Sequence, residues 1–228
     1  MDESGDEFGA RVTAIGALAD PVRRRLYDYV VSCDAAVGRE EAAAAAGVPL
    51  HSARFHLDRL VEEGLLDVEF RRLSGRSGPG AGRPAKLYRR GAREVAVSLP
   101  GRSYDLVGGV LAAAVDRSLA GEPLSGALGE EAREAGRRAA ATYDGPPDAA
   151  ELDRTAAVLA DEGFEPSREQ DDLVLRNCPF DSLARRHPEL VCGINLDYVG
   201  GVLEGLGCGH AHPCLDPAPD RCCVRVRA

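Results

Sequence analysis

The chain has no tryptophan and one methionine, and aromatic residues fill only 5% of its 228 positions. A hydrophobic content of 44% still suffices for ordinary cores. Arginine far outnumbers lysine, and alanine and glycine are plentiful, a bias that blurs propensity arguments. No apolar run approaches ~18 residues, so no membrane-spanning helix is expected. The opening MDESGDEFGA is acidic and polar and lacks both a basic and an apolar stretch, so no secretory signal is expected either. There is no C-x-x-C, no phosphate-binding glycine motif and no nucleophile–base pattern, and an enzyme is not expected. Cysteine is nearly absent from the first 177 residues, where Cys33 stands alone after Val30-Val31 in the setting of a small buried hydrophobe.

Six cysteines are present in the remaining 51 residues: Cys178, Cys192, Cys208, Cys214, Cys222 and Cys223. A chain of the reducing cytoplasm, the location expected here, keeps such thiols reduced, and their crowding points to metal or redox chemistry before disulfides.

The length suits two modest domains, 1–98 and 99–228, divided near Leu99-Pro100-Gly101-Arg102. The net charge of −9 argues against nucleic acid, but its distribution does not. Residues 1–102 carry 16 Arg/Lys against 15 Asp/Glu, whereas 103–228 carry 12 against 22. Residues 70–93 hold eight basic side chains and no acidic one, a local field able to bind a polyanion.

The first domain reads as helices near 8–18, 21–32, 39–46 and 50–63. Asp20-Pro21 is a cap and first-turn pair, and Gly47 supplies the left-handed break of a helix-turn-helix. In the last helix Ala53, Leu57, Leu60 and Val61 make the buried stripe. His51, Ser52, Arg54, Phe55, His56 and Arg59 lie off it, where base-edge contacts are made. Strands over 65–70 and 86–89 form a wing. Arg71, Arg72, Arg76, Arg83 and Lys86, with Arg89 and Arg90, are placed to neutralise phosphates.

These residues resemble winged-helix repressors of the broad ArsR/MarR type. The likeness is carried by Ala19-Asp20-Pro21-Val22-Arg23-Arg24-Arg25-Leu26, by the run from Ser52 to Leu66, and by Gly82-Arg83-Pro84-Ala85-Lys86-Leu87-Tyr88. It implies a homodimer on a double-stranded DNA operator. The Cys-x-Cys usual in the arsenic and zinc sensors of that superfamily is missing.

The second domain reads as α+β. Helices are expected over 104–119, 130–143 and 149–162, the last capped by Asp148. A hairpin follows over 164–177, then short and long helices over 181–187 and 189–206, a mobile loop at Gly209–Pro213 and a final strand at 222–226. Cys178 at a strand end, Cys192 on a helix and the Cys222/Cys223 pair converge if the tail folds back. The gaps are 13 residues from Cys178 to Cys192, 15 to Cys208, and 13 or 14 onward to Cys222 or Cys223. Zinc knuckles are spaced far more closely, and wide spacing suits a cluster seated between separate elements.

From Asp20-Pro21 onward the chain resembles predicted ArsR-type repressors that include the iron–sulfur-sensing repressor of the Suf operon. The matching residues are Asn177-Cys178-Pro179-Phe180, His187-Pro188-Glu189-Leu190-Val191-Cys192 and Cys222-Cys223-Val224-Arg225-Val226. The resemblance implies a 4Fe–4S cluster on Cys178, Cys192, Cys208 and Cys223, with Cys222 or Cys214 as alternates. It implies a repressor whose operator affinity follows the iron–sulfur or redox state. The rival reading is a regulator sensing a small apolar ligand, its cysteines incidental or holding structural zinc.

Overall fold

The computed structural model describes residues 3–72 and 84–228. These divide into two compact units, 1–97 and 98–228. Among the described residues no helix is long and apolar enough to cross a membrane.

The first unit opens with α1 (Glu3–Ala17) and α2 (Pro21–Ser32). Asp20 caps α2 as its chemistry demands: Oδ1 accepts the amides of Val22 (2.8 Å) and Arg23 (2.9 Å), and Pro21, which has no N–H to satisfy, takes the first helical position. Strand β1 (Val37–Gly38) leads into α3 (Arg39–Ala46), which ends at Gly47 with φ +65°. That left-handed turn starts α4 (Leu50–Glu62). Ala53, Leu57 and Leu60 of α4 are buried against Leu26 and Val30 in one core, while Val61 is only half-buried. Strands β2 (Leu66–Arg71) and β3 (Ala85–Arg90) pair antiparallel, Val68 opposite Tyr88. The sheet order is β1-β3-β2. β1 was not foreseen: two residues are too few to show a period, and only pairing with Leu87 and Tyr88 makes them a strand.

The second unit contains α5 (Tyr104–Leu119), α6 (Leu124–Ala140), α7 (Glu151–Asp161), β4 (Pro166–Glu169), β5 (Asp172–Leu175), α8 (Asp181–Ala184), α9 (Pro188–Gly205), β6 (His212–Leu215) and β7 (Val224–Arg227). The antiparallel sheet runs β4-β5-β7-β6. Its inner side, with Leu173, Leu175, Val224 and Val226, shares a core with Val191, Tyr198 and Val202 of α9. α9 also packs on α6 almost backbone to backbone. A Cβ on Gly136 would stand 2.1 Å from the Tyr198 carbonyl oxygen, and one on Gly201 would stand 2.0 Å from that of Arg133.

Three expectations are corrected. α6 begins at Leu124, six residues before the predicted start, because burial of Ala127 outweighs the poor propensity of Gly126 and Gly129. Asp148 does not cap α7. The Ala149 amide closes a turn on the Pro146 carbonyl, and the helix starts after Ala150. The stretch read as a mobile loop is held: Glu151 binds 209–211, and His212 and Pro213 already belong to β6.

Candidate nucleic-acid interface and thiol site

The outer face of α4 presents His51, Arg54, Phe55 and Arg59, all exposed, with Ser52 and His56 half-buried beside them. Phe55 is 65% exposed, its ring edge-on to His56 with centroids 5.3 Å apart. Arg59 is ion-paired to Glu62 at 3.2 Å and also to Glu63. Arg71 and Arg72 are exposed at the end of β2. Arg76 and Arg83 lie outside the described residues.

Lys86 is not a free phosphate contact. Its ammonium lies 2.5 Å from Asp58 Oδ1, which also accepts the Tyr88 hydroxyl at 3.0 Å. Arg54 Nε stands 3.8 Å from the other oxygen of Asp58. Burial raises the Asp58 pKa, but the bonds from Lys86 and Tyr88 outweigh it and hold the carboxyl below its ordinary value. Burial and the bond to Asp58 push the Tyr88 phenol up. Asp58 carries no motif signal, since its hydrogen-bond partners are 28 and 30 residues away.

In the second unit, Asn177 fixes the chain just before Cys178. Its Nδ2 donates to the carbonyls of Gly101 (2.8 Å) and Gly163 (2.5 Å), and its Oδ1 accepts from Arg102 (2.6 Å). The Cys222 amide donates to the Leu175 carbonyl at 2.9 Å, so the tail lies beside the end of β5. Cys192 is on α9. These placements make Cys178 and Cys222 side-chain partners, and likewise Cys192 and Cys223. Cys192 also feels the charges of Cys178 and Cys222. The four thiols therefore form one neighbourhood, reached from a strand end, a helix and the tail.

The Cys222 partner and burial push the Cys178 thiol up; burial does the same to Cys192. At Cys222 the bond with Cys178 favours the thiolate, but Cys223 and burial override it and raise the thiol to about 12. Asn195, three residues beyond Cys192 on α9, donates Nδ2 to Cys222 Sγ at 3.0 Å. Among the described residues, Asn195 Oδ1 and the Tyr198 hydroxyl are buried without a hydrogen-bond partner. Soft donors in this number suit soft metals and clusters once their protons leave. Among the described residues, no three His, Cys, Asp or Glu side chains stand ready to hold a single metal ion.

Cys208 does not join this neighbourhood. Its Sγ lies 3.9 Å from Thr155 Oγ1, 3.9 Å from the Glu151 carbonyl and 4.0 Å from Arg154 Nη2. The left-handed Gly207 (φ +67°) after α9 turns it toward α7. Cys214 sits on β6 opposite Arg225. His187 occupies the N-cap position of α9 without a capping bond, and His210 is 93% exposed beside Glu151. The Glu151 carboxylate accepts the amides of Ala211 (2.9 Å), Gly209 (2.9 Å) and His210 (3.1 Å), which hold its pKa at about 2.

A family model described as a helix-turn-helix domain matches residues 18–69, which span α2 to β2. No curated protein and no solved structure matches the chain. The first unit is thus a helix-turn-helix domain, and the class it defines is a DNA-binding transcriptional regulator.

Proposed function

We propose that this regulator is a cytoplasmic, homodimeric repressor of the ArsR type whose operator affinity responds to an iron–sulfur centre, of 4Fe–4S type, held by the C-terminal cysteines. The observation that carries the reading is the shared neighbourhood of Cys178, Cys192, Cys222 and Cys223. These four would hold the centre. Cys208, which the resemblance favoured, faces Thr155 and Arg154 instead. When bound, such a centre supplies reversible electron transfer and sensitivity to oxidants.

The chain's own residues do the rest. Ligation requires the four thiols to lose their protons, and Asn195 Nδ2 is already placed to donate to a Cys222 thiolate. The Cys222 amide holds the tail beside the end of β5, and the Asn177 bonds hold the chain after β5 against Gly101 and Gly163, so a change at the sulfurs strains β5, α9 and the tail at once. Exposed apolar stripes support pairing with a second copy: Phe8, Val12 and Ile15 on α1, and Tyr104, Val115 and Leu119 on α5. For regulation, the ligated and free tails must favour different DNA-binding states. The role is regulatory, with no catalytic step.

Anaerobic reconstitution with iron and sulfide tests the reading. A brown protein that bleaches in air, with operator affinity that differs between the two forms, is the expected outcome. A colourless protein that retains zinc, or identical affinity in both forms, overturns it.

A further inference from the structure

Lys86 is the only lysine of the chain, and the fold does not leave it free. One carboxylate, Asp58 on the DNA-facing helix, engages three groups. Oδ1 takes the Lys86 ammonium (2.5 Å) and the Tyr88 hydroxyl (3.0 Å) from β3, and Oδ2 faces Arg54 Nε at 3.8 Å on its own helix. The Lys86 ammonium also lies 5.1 Å from the centroid of the Tyr88 ring, and Tyr88 is 1% exposed. Lys86 is therefore engaged by an anion and an aromatic face, with its side chain still 37% exposed. The Asp58 side chain remains 35% exposed, so its charge is felt at the interface itself.

We infer that Asp58 is a specificity-determining residue that withholds Lys86 and Arg54 from phosphate. The inference rests on the DNA-binding function of the helix-turn-helix and goes beyond it. Phosphate contacts are made with every sequence alike and supply nearly all of non-specific binding. A phosphate nearing the cleft lined by Arg39, Glu40, Arg54, Phe70 and Lys86 must displace Asp58 and meets its like charge, beside that of Glu40, which is paired with Arg39 at 3.0 Å. A base edge carries no net charge and escapes that repulsion. A guanine presents O6 and N7 together to an arginine, a paired geometry that competes with the long Arg54–Asp58 contact. Asp58 thus lowers the background affinity more than the operator affinity, and the ratio of the two rises. It also ties β3 to α4, which sets where the wing strands stand relative to the helix that reads bases.

The test is duplex affinity against salt, measured with an operator selected from random sequence and with a non-cognate duplex. The nearly isosteric Asp58→Asn should steepen the log–log salt slope by ~0.9 for each phosphate gained, so by roughly one to two units. Non-cognate binding should tighten, the advantage over wild type shrinking about eightfold per gained contact for each decade rise in salt, and the specificity ratio should fall. Lys86→Gln alone should leave the slope unchanged, and adding it to Asp58→Asn should remove about one unit of the gain. A purely structural role for Asp58 would lower the melting temperature without moving the slope. An unchanged slope in folded Asp58→Asn overturns the inference, as does a shallower slope in Lys86→Gln. If Asp58→Asn does not fold, the Lys86→Gln slope decides alone. Failure of the wild-type protein to bind any duplex removes the DNA-binding function itself and this inference with it.

Discussion

Asn195 donates its side-chain amide to the Cys222 sulfur at 3.0 Å, in a core where the two residues are 1% and 2% exposed. The amide oxygen has no hydrogen-bond partner among the described residues. Asn195→Asp replaces that donor with a buried carboxylate beside four thiols. It is expected to destabilise the second unit by about 3 kcal/mol or more at neutral pH, the scale of an uncompensated buried charge. Asn195→Leu should cost less, since it leaves no charge. Urea midpoints for the two variants check the order.

Serine substitutions separate the cysteines. Cys178→Ser, Cys192→Ser and Cys222→Ser should each lower the iron and sulfide retained after anaerobic reconstitution. Cys208→Ser should retain as much as the wild type, because its sulfur lies with Thr155 and Arg154. Iron and sulfide analysis reads the result, and loss at Cys208 equal to loss at Cys178 would reject the proposed ligand set.

Gly201→Ala is expected to lose ~3 kcal/mol of stability or more, because the added methyl collides with helix backbone rather than with a movable side chain. Gly126→Ala on α6, where a Cβ meets nothing within 4 Å, is the control and should melt no lower than wild type. Thermal melts of the two variants make the comparison.

Glu151 predicts a pH dependence. Its folded pKa of about 2 lies below the ordinary glutamate value of 4.5, so its contribution to stability is fully present above pH ~4.5 and fades as pH falls toward 2. Glu151→Gln should therefore be less stable than wild type at neutral pH. The gap should close between about pH 5 and 2. Denaturation curves at several pH values test this, and a gap independent of pH would mean that the amide bonds do not depend on the charge.

Arg54→Ala should relax operator choice at one base pair, by ~1–3 kcal/mol of discrimination. Arg72→Ala, at the exposed end of β2, should weaken all duplexes alike and make the salt slope shallower by ~0.9. Binding titrations against single-base operator variants distinguish the two behaviours.

Much of the first unit was legible because its signals are local. Asp20-Pro21 caps a helix through atoms two and three residues away, and Gly47 takes a backbone angle that other residues resist. The stripe Ala53, Leu57 and Leu60 follows from helical period alone. The early start of α6 was hidden because Gly126 and Gly129 read as breakers, and the burial of Ala127 that offsets them comes only with tertiary packing. Asp58, Asn195 and Glu151 were missed for a related reason: each is an ordinary polar residue whose hydrogen-bond partners lie 27 to 60 residues away.

By itself the sequence determined the order of the elements apart from the short β1 and β6, the helix-turn-helix with its basic wing, and the crowding of thiols into the tail, all of which depend on neighbours along the chain. Tertiary structure decided which sulfurs meet. The resemblance favoured Cys208, but a left-handed glycine sends it to α7, while an amide bond to Leu175 brings Cys222 beside Cys178. Side-chain direction beyond a helix end is set by one or two backbone angles and by the surface that receives the chain, and residue counting contains neither.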